Sequence, residues 1–229
     1  MRELLGGLRG SLDAGQISQL AAVLRMLEAD EHAPTAVRAA EQALDVHVAD
    51  SLAALELGAV RAAQRIADLG SGVGFPGLAL AVALPAAEVS LVESQRRRCD
   101  FLERVCAAAA IENARVVCAR VEEWRGGLVR NDAVVARALA APPVVLEYAA
   151  PLLRRGGSLV DWRGRRVRRE EDAALRAAAE LGLRRVEVRR VEPFHGARDR
   201  HLHHDLKVRD TPARFPRRPG IARKRPLGG

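Results

Sequence analysis

The 229-residue sequence predicts an α/β fold with a doubly wound, seven-stranded and mostly parallel sheet, preceded by a helical extension. Two observations lead to this prediction. Short apolar runs alternate with helical segments from residue 65 to residue 208, as they do in repeated strand–helix units. A glycine-rich turn, Gly70-Ser71-Gly72-Val73-Gly74, follows the first apolar run, at the place where open α/β sheets bind nucleotides.

Three helices are predicted to precede the sheet. Residues 1–30 carry apolar residues at helical spacing on one face: Ile17, Leu20, Ala21, Leu24 and Leu27. Thr35, which follows Pro34, is a candidate N-cap for a second helix. The third helix is predicted over Asp45–Leu57, where apolar and polar residues alternate with helical spacing.

Seven strands and four further helices are predicted after these. The strand candidates are Arg65–Leu69, Glu88–Val92, Arg115–Cys118, Ala133–Ala136, Ser158–Asp161, Arg185–Val191 and His203–Val208. The helix candidates are Pro76–Leu84, Gln95–Ala110, Pro143–Leu153 and Arg168–Leu181. Gly156-Gly157 and Gly182 are predicted to mark breaks before strands, and the sheet is predicted to be parallel until its last strand.

We expect three regions: a helical extension over residues 1–58, the sheet domain over 59–210 and a basic tail over 211–229. The tail holds four prolines, which disfavour regular structure, so we predict none there. An apolar content of 48% suffices for one core. No run approaches the roughly 20 apolar residues of a membrane span, and the amino terminus has no signal-peptide pattern, so we expect a cytoplasmic protein without a membrane partner.

Three cysteines occur, and their spacing does not match a metal site. Cys99 and Cys106 are two helical turns apart, and we interpret both as buried or partly buried small residues. His201 and His203 would lie on one side of a strand and His204 on the other, which argues against a metal site there. We therefore expect no metal.

Charge is divided unevenly along the chain. Residues 151–229 hold 22 Lys/Arg and 10 Asp/Glu, whereas residues 1–150 hold 15 and 19. A basic half is typical of proteins that bind a polyanion. The alternative is a solvated, arginine-rich surface, which explains the preference for arginine but not the asymmetry of net charge. Aromatic residues make up only 3% of the chain, so a structured RNA held by its phosphates is favoured over base stacking.

The spacing of the glycines reduces the number of candidate ligands. A dinucleotide fingerprint is G-x-G-x-x-G, but Phe75 occupies its third glycine position here. The observed G-x-G-x-G pattern fits the first motif of S-adenosylmethionine (SAM) methyltransferases. Asp68 would suit the cationic amine of SAM, and Glu93, at the end of the second apolar run, would accept hydrogen bonds from ribose hydroxyls. NAD enzymes use the same ribose contact, and a tight loop without a ligand is the remaining alternative.

An ordered set of motifs resembles one family, the bacterial 16S rRNA guanine-N7 methyltransferases (RsmG, also called GidB). The resemblance covers residues 44 to 227 and rests on these segments: His47-Val48-Ala49-Asp50-Ser51-Leu52, Asp68 to Gly77 with Pro76-Gly77, Leu91-Val92-Glu93-Ser94, Arg120-Val121-Glu122-Glu123, Ala136-Arg137-Ala138, and Thr211-Pro212 through Phe215-Pro216-Arg217-Arg218 to Pro226-Leu227. It implies a Rossmann-like class I SAM-dependent methyltransferase fold. It also implies methyl transfer to N7 of one guanosine in 16S rRNA of the 30S subunit.

The resemblance implies a role for individual residues. Gly70, Gly72 and Phe75 would face the methionine part of SAM, and Val121 and Glu122 would hold its adenine. Arg137 would sit where cofactor and target base meet, as a catalytic and cofactor-binding residue. Five basic residues would hold rRNA phosphates: Arg163, Arg217, Arg218, Arg223 and Lys224.

Methylation of guanine N7 agrees with the absence of two motifs that other methyl transfers require. Guanine N7 carries a lone pair and no proton, so its methylation needs position rather than a general base. No D/N-P-P-Y/F motif follows the fourth strand, and no cysteine is placed there for covalent catalysis. Arg137 would anchor a phosphate or the O6/N7 edge of guanine, or alternatively form a salt bridge with Glu93, Glu122 or Asp132.

Other interpretations remain open at this stage. His47 and Asp50 share a helix face and would act as a lid or RNA contact, or would pin the helix to the core. The family's N-L-T-A-I run is altered at Ala33-Pro34, and its Lys-Gly is Arg163-Gly164 here. These departures motivate a non-catalytic RNA-binding paralogue as an alternative. A SAM methyltransferase of small molecules or protein is another, and an NAD-linked dehydrogenase is a distant one.

Overall fold

The structure, a computed structural model, describes residues 12–30 and 43–229. The predicted helix start at Thr35 and the altered Ala33-Pro34 positions lie outside these residues. Helix α1, Ala14–Ala29, begins with a capping box: Gln16 N donates to Asp13 Oδ1 at 2.8 Å, and Asp13 N donates to Gln16 Oε1 at 2.8 Å. Its buried face contains all five residues predicted from the spacing, so the predicted helix face is confirmed.

A second helical stretch, α2, covers residues 44–56 and changes its winding twice. Leu44–Ala49 is π-helical, Asp50–Leu52 is α-helical and Ala53–Glu56 is a 3-10 turn. Single π-helical turns often lie at functional sites, because the wider turn changes the direction of the side chains. The sequence predicted a helix here but not its irregular winding. A short helix α3, Gly58–Arg61, leads into the sheet.

The sheet has seven strands, and its topology confirms the predicted fold class. The strands are β1 Arg65–Leu69, β2 Glu88–Glu93, β3 Ala114–Cys118, β4 Asn131–Arg137, β5 Leu153–Arg163, β6 Leu183–Arg190 and β7 His201–Lys207. Their order is β3-β2-β1-β4-β5-β7-β6. The first five pair in parallel, whereas β7 lies antiparallel between β5 and β6. The strand order reverses between β1 and β4, where open sheets form a ligand crevice at their carboxyl ends.

Four helices and a short fifth one cover the sheet. They are α4 Gly77–Ala83, α5 Arg96–Ala108, α6 Pro142–Ala149, α7 Arg168–Leu181 and α8 Ile221–Lys224. Helices α1, α4 and α5 contribute to one hydrophobic core, and α6 and α7 contribute to a second. The two cores lie on opposite faces of the sheet, as in a doubly wound fold.

The prediction of a break at Gly156-Gly157 is wrong. Strand β5 begins earlier, at Leu153, and pairs with β4 through a register shift between Asn131 and Ala133. A β-bulge of this kind admits extra residues without ending the strand. Gly156 has a φ of +80°, a conformation that glycine adopts without strain.

The carboxyl-terminal tail is more ordered than predicted. The four prolines flank helix α8 instead of preventing it, because none of them falls within Ile221–Lys224. Phe215 and Ala222 are buried in the second core, 8% and 1% exposed. Burial of these two side chains fixes the tail against the sheet domain.

Candidate active site

The glycine-rich turn has the conformation that its sequence requires. Gly70, Gly72 and Gly74 have φ angles of +69°, +58° and +102°, which disfavour any residue with a Cβ. A Cβ at Gly70 would lie 2.6 Å from Leu139 Cδ1. The turn therefore holds its backbone close to the loop that follows β4, and both segments line the cavities described below.

Asp68 does not lie where the sequence suggested. Its carboxylate is buried beneath the turn, where Oδ2 accepts a hydrogen bond from Gly77 N at 3.0 Å. Burial raises the pKa of Asp68 to about 6, although the hydrogen bond from Gly77 opposes the shift. Asp68 lines neither of the two cavities at this edge of the sheet. We correct its predicted contact with the ligand amine: Asp68 fixes the start of α4 and thereby the turn.

Glu93 ends β2 with its carboxylate already oriented. Oε1 accepts from the backbone N–H groups of Ser94 and Gln95 at 2.7 and 2.9 Å, and Oε2 accepts from Gly72 N at 3.1 Å. Arg98 Nη1 lies 3.7 Å from Oε2. A carboxylate oxygen has more than one acceptor site, so these contacts orient the group and leave capacity for ligand hydroxyls.

A first cavity of about 230 Å³ lies over the carboxyl ends of β1 to β4; we call it the nucleoside cavity. Its lining includes Gly70, Glu93, Val121, Glu122 and Arg223. Four of these were predicted cofactor-binding residues, and the structure brings them to one place. Arg223 was predicted to bind RNA instead.

A second cavity of about 550 Å³ adjoins the first; we call it the reaction cavity. Both cavities are lined by Gly70, Arg98 and Ala138, so they are continuous at the turn. The reaction cavity is further lined by these residues: Val46, His47, Asp50, Ser71, Gly72, Val73, Phe75, Arg137, Trp162, Arg163, Gly164 and Arg200. Four arginines and a single carboxylate, that of Asp50, give it a positive charge.

A family model described as GidB, rRNA small subunit methyltransferase G, matches residues 15–203 of this sequence. The chain belongs to the GidB family. Known members are close relatives. Ribosomal RNA small subunit methyltransferase G of Syntrophomonas wolfei is 40% identical over 186 residues, which cover 80% of this chain and 86% of that protein. The protein of the same name from Deinococcus radiodurans is 37% identical, covering 99% of this chain and 92% of the relative.

Solved structures of SAM-dependent methyltransferases have a fold similar to that of this GidB-family chain. A SAM-dependent O-methyltransferase from Thermotoga maritima superposes with a TM-score of 0.55 at 20% identity, covering 70% of this chain and 64% of that one. At this identity the similarity concerns the fold. The class I methyltransferase fold predicted from the sequence is therefore confirmed.

Arg137 of this GidB-family chain lies in the reaction cavity and is held by helix α2. Its Nη1 donates to Val46 O at 2.8 Å and to Asp50 Oδ2 at 2.9 Å, and its Nη2 lies 3.3 Å from His47 Nδ1. The sequence proposed Glu93, Glu122 or Asp132 as alternative salt-bridge partners. This prediction is corrected, because the partner is Asp50, 87 positions earlier in the chain.

His47 and Asp50 have the pinning role, one of the two that the sequence left open, whereas a lid or RNA contact stays a prediction. Both line the reaction cavity, and both also tie α2 to the sheet. The His47 ring stacks on Phe75, with centroids 5.1 Å apart. Burial, together with the nearby charge of Arg137, lowers the pKa of His47 to about 4, so the ring is neutral at pH 7. Trp162 Nε1 donates to Asp50 O at 2.8 Å, which adds a link between α2 and β5.

The five predicted RNA residues occupy different environments. Arg163 lines the reaction cavity, where it pairs with Asp161 at 2.6 Å and donates to Ala140 O at 2.7 Å. Arg218 and Lys224 are exposed on the tail. The exposed positions of Arg218 and Lys224 suit the predicted contact with phosphates.

Arg217 is placed differently, and its predicted RNA contact is corrected. Its Nε donates to Glu147 Oε1 at 2.7 Å, and its Nη2 donates to Glu147 Oε2, so the pair is bidentate. Glu147 is 1% exposed, and Arg217 also donates to the carbonyl of Arg225 at 2.9 Å. A guanidinium committed to a buried carboxylate anchors the tail and has few donors left for a phosphate.

The strand histidines face as predicted. Arg185 donates to Asp205 at 2.8 Å and lies 3.2 Å from His203 Nδ1, on one face of the sheet. His204 lies 2.9 Å from Ser158 on the other face. Within residues 12–30 and 43–229, His, Cys, Asp and Glu form no group of three that could hold a metal. In the same part of the chain, no helix has the length and apolar character of a membrane span.

Three residues of the site escaped the sequence analysis: Arg98, Tyr148 and Arg200. Arg200 Nε lies 3.6 Å from Asp50 Oδ1, and neither buried atom has a hydrogen-bond partner among the described residues. Polar atoms left unpaired in a cavity are typical of a site for a polar ligand. Arg98 offered a signal, since it lies in the first turn of α5, five positions after Glu93. Tyr148 and Arg200 offered none, because only the fold brings them to the cavities.

Proposed function

We propose that this chain transfers a methyl group from SAM to N7 of a guanosine in 16S rRNA of the small ribosomal subunit. One observation carries the proposal: a nucleoside cavity with an oriented carboxylate opens, through Gly70 and Ala138, into a reaction cavity lined by four arginines. The first cavity suits the cofactor and the second suits an anionic substrate. Membership of the GidB family supports both assignments. We also propose that the protein acts in the cytoplasm.

The residues of the nucleoside cavity fit SAM. Glu93 would accept hydrogen bonds from both ribose hydroxyls, because three backbone N–H groups already fix its carboxylate. Val121 and Glu122 would hold the adenine, and Gly70 and Gly72 would lie against the methionine part. SAM supplies a methyl group on a positively charged sulfur, which is a strong electrophile.

The reaction cavity favours an acceptor atom that carries no proton. Its carboxylate, Asp50, is committed to the ion pair with Arg137 and also lies close to Arg200. The Nδ1 atom of His47 faces Arg137. Because burial lowers the pKa of His47 to about 4, the ring is a poor proton acceptor at neutral pH. A guanine N7 needs no base, whereas methylation of an exocyclic amine must also release a proton. The arrangement therefore supports N7.

The arginines of the reaction cavity recognise the acceptor by charge and shape. Arg137 would donate to the O6/N7 edge of guanine or to an adjacent phosphate, and Asp50 fixes the plane of its guanidinium. Arg163 would hold a second phosphate, with Asp161 orienting its side chain. Outside the cavity, Arg218 and Lys224 would extend the contact along the RNA. Catalysis would then rest on alignment of acceptor and methyl group.

The experiment supplies SAM with a labelled methyl group to 30S subunits, to naked 16S rRNA and to an unrelated structured RNA of equal length. The modified nucleotide is located by nuclease digestion and mass mapping. We expect label on one guanosine of 16S rRNA, at a base atom that makes the strand sensitive to borohydride and aniline, as N7-methylguanosine does. Label on an exocyclic amine or a ribose would overturn the N7 assignment.

Arg137→Lys provides the matched variant, since it keeps the charge but loses the planar fork. We expect methyl transfer to fall by about a hundredfold, the order of loss for a misaligned reactant, with the fold intact. Calorimetry with SAM tests the alternative of a non-catalytic paralogue. If the wild-type chain binds neither SAM nor its demethylated product, the enzyme assignment fails.

A further inference from the structure

The carboxyl-terminal segment, residues 211–229, is anchored at three points. Phe215 and Ala222 are buried in the second core. Arg217 forms its bidentate ion pair with the buried Glu147. Near the end of the chain, Gly228 O accepts from Arg176 Nε at 2.9 Å and from Nη2 at 2.6 Å. A segment fixed in this way has a defined position relative to the sheet.

The same segment reaches the nucleoside cavity. Gly220 N donates to Glu122 Oε1 at 3.0 Å, so the tail backbone orients the carboxylate predicted to hold adenine. Arg223, three residues later, lines the cavity, and its Nη2 donates to Leu139 O at 3.0 Å. Leu139 lines the cavity as well. Its carbonyl therefore fixes the guanidinium of Arg223 at the cavity wall.

Tyr148 completes this end of the cavity. Tyr148 lines the same cavity as Arg223 and Glu122, and burial raises the pKa of its phenol. Three distant segments thus place a carboxylate, a phenol and a guanidinium side by side. A guanidinium donates hydrogen bonds and a carboxylate accepts them, which complements the amine and ring nitrogens along the edge of an adenine.

We propose that residues 211–229 form a wall of the cofactor site, and that Arg223 contacts the adenine of SAM. The inference rests on the proposed function. It reassigns Arg223 from the RNA contact that the sequence suggested to the cofactor. The planar guanidinium stacks on aromatic rings or donates to ring nitrogens, and a lysine provides the charge without the plane.

The topology explains why Arg223 meets the adenine end. Arg137 and Phe75 line only the reaction cavity, beyond β1 and β4. Arg223, Glu122 and Tyr148 line only the nucleoside cavity. With the ribose at Glu93 between them, the adenine lies on the side of Arg223 and the methionine on the side of Arg137.

The test measures affinity by calorimetry for two nucleosides. S-adenosylhomocysteine contains the adenosine part, the sulfur and the amino acid, whereas methylthioadenosine keeps the adenosine part and the sulfur but lacks the amino acid. Wild type is compared with Arg223→Ala, Arg223→Lys and Arg225→Ala. Arg225, directly after the same short helix, is exposed and does not line the cavity, which makes it the matched control. Thermal unfolding without ligand monitors the fold, and a filter assay measures binding of 16S rRNA.

We expect Arg223→Ala to weaken binding of both nucleosides by about tenfold, the order of one cation–π or charged contact. Arg225→Ala should change both affinities by less than twofold, and Arg223→Lys should give an intermediate loss. The affinity of Arg223→Ala for 16S rRNA should stay within twofold. If Arg223→Ala unfolds at a lower temperature than wild type, the nucleoside affinities of Arg223→Lys replace those of Arg223→Ala as the test of the contact.

Two results would overturn the inference: unchanged nucleoside affinity in both Arg223 variants, or a loss of affinity for S-adenosylhomocysteine without a loss for methylthioadenosine. The second would assign Arg223 to the amino-acid end. Failure of the proposed function looks different, because a wild-type chain that binds neither nucleoside would remove the cofactor site itself.

Discussion

Replacement of Arg217 by alanine should destabilise this protein rather than weaken its hold on RNA. Glu147 has 1% of its side chain exposed and Arg217 has 22%, so the substitution leaves an almost fully buried carboxylate without its partner. Removing one member of a buried ion pair costs about 3–5 kcal/mol. The partial exposure of Arg217 lets water relieve some of the penalty, which points to the lower end, about 3 kcal/mol.

This magnitude converts into a measurable shift. In a chain of this length, each kcal/mol lowers the midpoint of thermal unfolding by about 2–4 °C, so we expect a fall of about 6–12 °C. The neighbouring Arg218 supplies the control. It is exposed, and Arg218→Ala should change the free energy of unfolding by less than about 0.5 kcal/mol.

The assay pairs thermal unfolding with RNA binding at one salt concentration. Arg217→Ala should unfold at lower temperature, and Arg218→Ala should lower RNA affinity at an unchanged midpoint. A double variant, Glu147→Leu with Arg217→Met, should recover much of the loss, because no buried charge remains. An unchanged unfolding midpoint in Arg217→Ala, together with weaker RNA binding, would refute the reasoning and restore the phosphate contact.

Four further outcomes are expected. Gly77→Ala should destabilise the fold by about 1–3 kcal/mol in urea titrations, because a Cβ there would lie 2.6 Å from Asp68 Oδ2; wild-type stability would show that the turn relaxes freely. The imidazole NMR signals of His47 should stay unchanged from pH 8 to pH 5 and should titrate near pH 4. The stability that the neutral ring contributes should be lost as pH falls from about 6.5 towards 4. Burial raises the pKa of Asp161 to about 7, so the stability that its protonated form contributes is lost as pH rises from about 4 through 7. The unfolding midpoint of Asp161→Asn should therefore depend less on pH across that range than the midpoint of wild type. Lys224→Ala should reduce the slope of log affinity for 16S rRNA against log salt by roughly 0.7–0.9, the value for one phosphate contact, and an unchanged slope would remove it from the RNA surface.

The sequence predicted the sheet well because its signals are local. Segments of four to seven residues between helical stretches identify strands, and glycine spacing identifies the turn after β1. Glu93 was recognisable because it ends a strand at a fixed distance from that turn. Val121 and Glu122, which follow the end of β3 at Cys118 after two residues, were assigned by the resemblance to the family and not by spacing alone.

The tertiary partners could not be predicted in the same way. Arg137 meets Asp50 across 87 positions, and Arg217 meets Glu147 across 70. A guanidinium forms similar pairs with any carboxylate, so the residue types leave the partner undetermined. Asp68 illustrates the opposite difficulty: its position before the turn was clear, but its burial under Gly77 depends on how closely α4 approaches β1.

The tail shows why net charge alone does not assign a surface. Residues 211–229 carry five arginines and one lysine, and their composition resembles an unfolded RNA-binding arm. Yet Arg217 neutralises a buried carboxylate and Arg223 faces the nucleoside cavity, so these two charges serve the fold and the cofactor site. Arg218 and Lys224 are exposed and stay the predicted contacts of the tail with a polyanion. Since both groups of side chains belong to one anchored segment, RNA bound to its outer face would sit within a few residues of the wall that holds the cofactor.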